Sequence, residues 1–101
     1  MLRTVLTLSP REGARETVLA AYHESGILDL AVREAGCIAA EVQVTADPNG
    51  PIVITSLWAS RAEYDAWGAH PARTELAGRL LSLLADAHLD EYEVIARAAR
   101  G

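Results

Sequence analysis

The chain contains no lysine and no phenylalanine, and only one cysteine and one methionine, in 101 residues. Each shortage excludes something. A lone cysteine, Cys37, can form no internal disulfide and supply no cysteine-rich metal site. It lies in the apolar run "CIAAEVQV" and reads as a buried, inert thiol. The positive charge rests on nine arginines against fourteen acids, a net charge of −5, and no basic stripe gathers. That balance argues against nucleic acid or an anionic membrane as a partner. No apolar run reaches the roughly 20 residues of a membrane span. No basic patch followed by an apolar block marks a signal peptide, so a cytoplasmic protein is expected. The histidines, His23, His70 and His88, lie far apart without ligand spacing, and no metal site is expected. Ser56 and Ser60 have no neighbouring His–Asp pattern, which leaves triad chemistry unsupported.

Half of the residues are hydrophobic and 23% are charged, a folded composition long enough for one domain over residues 1–101. "LRTVLTL", residues 2 to 8, alternates as a half-buried strand does, with Leu2, Thr4, Leu6 and Leu8 on one side. Ser9, Pro10 and Glu12 carry a capping-box pattern that predicts a helix from near Pro10. Gly26 marks a break in that helix and Gly36 its end. "CIAAEVQV" (37 to 44) and "IVITSLW" (52 to 58), joined by the turn-rich "TADPNGP", predict an antiparallel hairpin. In the first of these strands, Ile38, Ala40, Val42 and Val44 share one face, and Cys37, Ala39, Glu41 and Gln43 the other. Ser60 and Glu63 repeat the capping box ahead of a short helix. Pro71 opens another, "PARTELAGRLLSLLADA", and "DEYEVIARA" (90 to 98) predicts a last strand. The order β-α-β-β-α-β is the α+β, ferredoxin-like arrangement, with a four-stranded antiparallel sheet and helices on one face. The other face, with Val5, Thr7, Ala39, Glu41, Val53, Thr55, Glu93 and Ile95, is too apolar to be simply wet. The expectation is that it is buried against a second subunit with space left over for a ligand.

The large rings are concentrated in "WASRAEYDAWGAHPARTEL", residues 58 to 76, which holds both tryptophans and one of the three tyrosines. Trp58 could stack on a planar ring and aim its N–H at a ligand oxygen, or simply pack the helix beneath it. Tyr64 could donate a hydrogen bond or relay a proton, or anchor the helix start. Trp67 suits a core, subunit or ligand contact. His70 could act as a base near neutral pH or cap the helix opened by Pro71. Glu41, on the second sheet face, is the carboxylate whose burial would suit a base.

Element order, length and this stretch together resemble the antibiotic biosynthesis monooxygenase family of dimeric α/β barrels. "WASRAEY" is similar to the family's Trp-x-Ser-x-x-x-aromatic pattern, and "HPARTEL" to its proline-opened helix. The resemblance implies a homodimer and a small aromatic substrate. It further implies oxidation of an anthrone- or naphthol-like polyketide intermediate to a quinone by O₂, with no cofactor. Trp58 and Tyr64 fall where such enzymes carry a pocket tryptophan and tyrosine. Where the resemblance would place an asparagine and an arginine, this chain has Ile54 and Ala77, with Arg73 and Arg79 nearby. On this reading Trp58, Tyr64, His70 and Glu41 carry the chemistry, and Trp67, Arg73, Thr7 and Thr55 contact the substrate. The haem-degrading relatives imply a ligating histidine where Leu76 stands. Alternatives on the same scaffold are a cyclase or isomerase, or a non-catalytic binder of haem or another planar ligand.

Overall fold

Burial alternates along Leu2–Leu8, and the strand it specifies, β1 (Leu2–Pro10), lies inside the sheet. The computed structural model describes residues 1–100. After β1 come α1 (Arg15–Ser25), α2 (Ile27–Glu34), β2 (Cys37–Val44), β3 (Ile52–Trp58), α3 (Arg61–Gly68), α4 (Pro71–Leu80), a 3₁₀ turn (Leu81–Leu83) and β4 (Leu84–Glu93). The sheet is antiparallel throughout in the order β2-β3-β1-β4, which is the expected ferredoxin-like α+β fold. Gly26 breaks the first helical segment as expected. Its φ of 62° is left-handed, a conformation that only glycine adopts freely.

Four boundaries differ from expectation. β1 runs on through Ser9 and Pro10, and α1 begins only at Arg15, behind an N-cap, Ala14, that offers no side chain. The ladder overrides the local capping signal, because Ser9 pairs with Asp86 and Pro10 with Leu84. Pairing to β3 has already ended at Leu8, so the N–H that Pro10 lacks is not needed on that side. The last strand is Leu84–Glu93 rather than 90 to 98, and α4 stops at Leu80. "LLSLLADA" is apolar at both periods, and pairing with the end of β1 decides for strand. β4 then runs out of partner where β1 begins, at Leu2 opposite Glu93.

The register defines two faces. The inner face, toward the helices, carries rows such as Cys37–Trp58–Leu2–Glu93 and Ala40–Ser56–Thr4–Glu91. Glu93 is therefore an inner-face residue, not an outer one, and Ile95 lies beyond the strand, 95% exposed. A shift between Cys37 and Ala39 moves Cys37 to the inner side, where it is buried, and leaves Ile38 exposed. The core of Leu2, Leu8, Val18, Ile27, Ile52, Ile54, Trp58, Trp67, Leu76 and Leu80 lies between the inner face and the helices. On the outer face Val5, Thr7, Val53 and Thr55 are half-buried, and Leu57 is fully buried.

Candidate active site

A cavity of about 340 Å³ lies between the inner face of the sheet and the helices. This is the face opposite the one behind which ligand space is expected. The helices leave β4 uncovered, and the cavity opens there, past Leu81, Ala87 and Leu89. Its walls are mostly aliphatic and aromatic. Polar groups enter at Thr4 and Ser56 on the sheet, Tyr22 on α1, Tyr64 on α3 and Arg73 on α4.

Trp58 ends β3 at 2% exposure and is the hub of a ring cluster. Its centroid lies 5.3 Å from that of Tyr64 and 6.1 Å from that of Trp67, both tilted to it. Its Nε1–H donates to Thr4 Oγ1 at 3.0 Å. That N–H is therefore already engaged, which leaves the ring of Trp58, not its donor, toward the cavity. Tyr64 is aimed by the turn before it. Ser60 caps α3 by accepting from the Glu63 N–H, and its hydroxyl donates to the Glu63 carboxylate at 3.1 Å. The Ser60 half of the expected capping box is thus formed, while the Glu63 carboxylate meets the Ser60 hydroxyl rather than its backbone N–H; the cap starts the helix so that Tyr64 and Trp67, three residues apart, both reach the cavity. Gly36 permits the close approach: a Cβ there would come within 2.8 Å of the Glu63 side chain.

Pro71 opens α4 and His70 caps it, its Nδ1 accepting from the Ala72 N–H at 3.1 Å. The His70 ring packs on Trp67, centroids 5.0 Å apart, with Nε2 3.9 Å from the Glu34 carboxylate. His70 is a cap and a strut behind the cavity wall and does not line it. Arg73, in the first turn of α4, does line it. So does Ala77, one turn further along the same helix face. Leu76 is buried in the wall.

The remaining expected site residues do not join this group. Glu41, Thr7 and Thr55 project from the outer face. There Gln43 Nε2 donates to Thr55 Oγ1 at 3.1 Å and to the exposed Glu41 carboxylate at 3.2 Å. Conversely, three polar cavity residues lie outside the expected set: Tyr22, Thr4 and Ser56. Each left a signal in the sequence. Thr4 interrupts a row of leucines and Ser56 a row of isoleucines, and both are buried. Tyr22 places a phenol in the apolar stripe that includes Val18 and Leu19.

The electrostatics follow from burial. Burial pushes the Tyr22 phenol up to about 12, against the opposing charge of Arg73. Tyr64 is also raised, first by burial, with the Arg73 guanidinium opposing. Both phenols therefore stay protonated at neutral pH and act as donors. The cavity has no carboxylate or imidazole among its described lining residues. Among the described residues no group of three histidine, cysteine, aspartate or glutamate side chains could hold a metal ion. The arrangement can bind a flat apolar molecule, exclude water from most of its surface and donate hydrogen bonds to an oxygen that gains negative charge.

The sequence model of the antibiotic biosynthesis monooxygenase family matches residues 1–79. No curated protein matches the chain. A provisionally named antibiotic biosynthesis monooxygenase from Nitrosomonas europaea superposes with a TM-score of 0.85 at 15% identity, over 95% of this chain and 100% of that one. One from Deinococcus radiodurans gives 0.84 at 22% identity, over 100% of both chains. Rv0793 from Mycobacterium tuberculosis gives 0.85 at 19% identity, over 97% of this chain and 98% of that one. Likeness at these identities concerns the fold.

Proposed function

The chain belongs to the antibiotic biosynthesis monooxygenase family, and we propose that it is a cofactor-independent monooxygenase converting an anthrone- or naphthol-like phenol to a quinone. One observation carries the reading: an apolar cavity walled by Trp58 and Trp67 that holds a guanidinium and two phenols as donors. Ground-state O₂ is a triplet and reacts directly with a singlet molecule only after electron transfer. A phenolate is electron-rich enough to supply that electron. A cation and hydrogen-bond donors in a water-poor site favour the phenolate over the phenol. In the net reaction an anthrone methylene loses two hydrogens. One oxygen atom becomes the new carbonyl, and the other leaves with those hydrogens as water.

An oxygen electrode with anthrone or a naphthol tests this, with quinone absorbance read in parallel. One O₂ consumed per quinone formed, without added metal or flavin, is the expected result. Tyr64→Phe should lower kcat by about a hundredfold. Turnover unchanged in Tyr64→Phe would remove the site assignment. A donor-only cavity would also stabilise an enolate, which favours a cyclase or isomerase as the second reading. Turnover of a polyketide without oxygen consumption would select it.

The outer face, where Val5 and Val53 stay partly open and no helix packs, supports a second copy of the chain as its partner. Sedimentation at micromolar concentration should give a dimer, and a monomer there would overturn that part.

A further inference from the structure

Arg73 differs from the arginines around it. Arg61 pairs with Glu91 and Asp65, and Arg79 lies 3.6 Å from Glu24, all on exposed surface. Arg73 is half-buried in the cavity wall and has no carboxylate within salt-bridge reach among the described residues. A half-buried guanidinium with no carboxylate partner keeps its charge available to an anion that enters the cavity. The surrounding groups suit such an arrival. Tyr22 and Tyr64 line the same cavity, and both phenols lie within the field of the guanidinium. The Tyr22 hydroxyl makes no hydrogen bond within the described chain. Nothing in the lining could accept a proton as a base does.

We infer that Arg73, Tyr22 and Tyr64 form an anion-binding pole that takes the ligand already ionised. Its negative oxygen lies against the guanidinium and its flat ring extends toward Trp58 and Trp67. Tyr22 thereby becomes a ligand-contacting residue. The ligand class is a planar aromatic bearing an ionised oxygen, and the ligand's own proton goes to water before entry rather than to a side chain. The inference rests on the oxygenase reading only in taking this cavity as the substrate site, and its test needs no turnover.

Binding is read anaerobically by quenching of Trp58 and Trp67 fluorescence. The probes are naphthoate and its methyl ester, and dinitronaphtholate and its methyl ether. The ionised member of each pair should bind about tenfold or more tightly than its neutral partner. Arg73→Met should erase that ratio and leave ester affinity unchanged, which also shows the cavity intact. Arg73→Lys should keep most of the ratio, since the point charge survives. Tyr22→Phe should weaken the anions severalfold and leave the neutral probes alone. Preference for naphthoate alone upholds the pole and makes its occupant a carboxylate; preference for dinitronaphtholate makes it a phenolate. Equal binding of ion and neutral partner, or a ratio that survives Arg73→Met, overturns the inference. If Arg73→Met binds nothing, a series of naphthols of graded acidity on the unaltered protein decides. Affinity that tracks the ionised fraction supports the pole, and affinity that ignores it refutes it. Anion preference without oxygen consumption would defeat the oxygenase reading alone; oxygen consumption without anion preference would defeat only the pole.

Discussion

The two faces of the sheet carry similar hydroxyl side chains and use them in opposite ways. On the inner face Thr4 and Ser56 are 4% and 8% exposed, set in rows of leucine, isoleucine and tryptophan. On the outer face Thr7 and Thr55 are half-buried, and Thr55 joins the exposed network of Gln43 and Glu41. An outer hydroxyl keeps access to water or a polar neighbour at little cost. An inner one is desolvated, and burying it is unfavourable unless it is used. Thr4 is used by Trp58, and Ser56 is left facing the cavity. The contrast shows that here the polar residues set in apolar rows, not those on the mixed face, reach the cavity.

Removing the inner row's anchor should have the largest effect. Trp58→Ala should lower stability by about 3–5 kcal/mol in urea unfolding, through lost burial and the cavity left behind. Leu57→Ala tests the same principle on the other face, where a fully buried leucine predicts a cost of about 2–5 kcal/mol. A near-zero value there would mean that the outer face is ordinary surface.

Alkaline titration probes the inner side next. Tyr22 is raised from an ordinary 10.0 to about 12, chiefly by burial. Its contribution to stability is fully present below pH 10, where the phenol is neutral in both states. Above that the unfolded chain ionises first, and the contribution is lost as pH rises toward 12. Two units correspond to roughly 2–3 kcal/mol. Tyr22→Phe should flatten that part of the pH–stability curve, and curves that stay parallel from pH 10 to 12 would refute the assignment.

The smallest pair is the sharpest comparison. Thr4→Val leaves the Trp58 N–H without its acceptor and should cost about 1–3 kcal/mol. Thr7→Val, three residues along and on the outer face, should change stability by no more than about 0.5 kcal/mol. Equal effects would erase the distinction between the faces.

Much of this was legible in the chain, for identifiable reasons. The capping box at Ser60 and Glu63 is local, so the placement of Tyr64 and Trp67 on one short helix could be read directly. Pro71 likewise fixed the start of the helix that presents Arg73. The signal at Ser9, Pro10 and Glu12 was equally local but misled, because pairing with residues more than 70 positions away prevails over it. The same pairing makes 84 to 87 strand rather than helix. Glu41, Thr7 and Thr55 face away from this cavity, which period-two alternation cannot foretell, since it separates two faces without saying which one encloses space. Thr4 and Trp58 are 54 residues apart, and no local pattern joins them. Tyr22 was hidden by its company: a phenol in an aliphatic stripe looks like core until the space beside it is seen.

Cys37, buried at the start of β2, has a consequence for durability. Burial raises its thiol above the ordinary range, and Sγ–H donates to the Ala39 carbonyl at 3.3 Å. Little reactive thiolate is therefore present at neutral pH, and oxidants meet the protonated form. The sole methionine is Met1, outside the core. Both sulfurs thus lie outside the cavity lining, and a stray oxidant there would find few places to leave lasting damage.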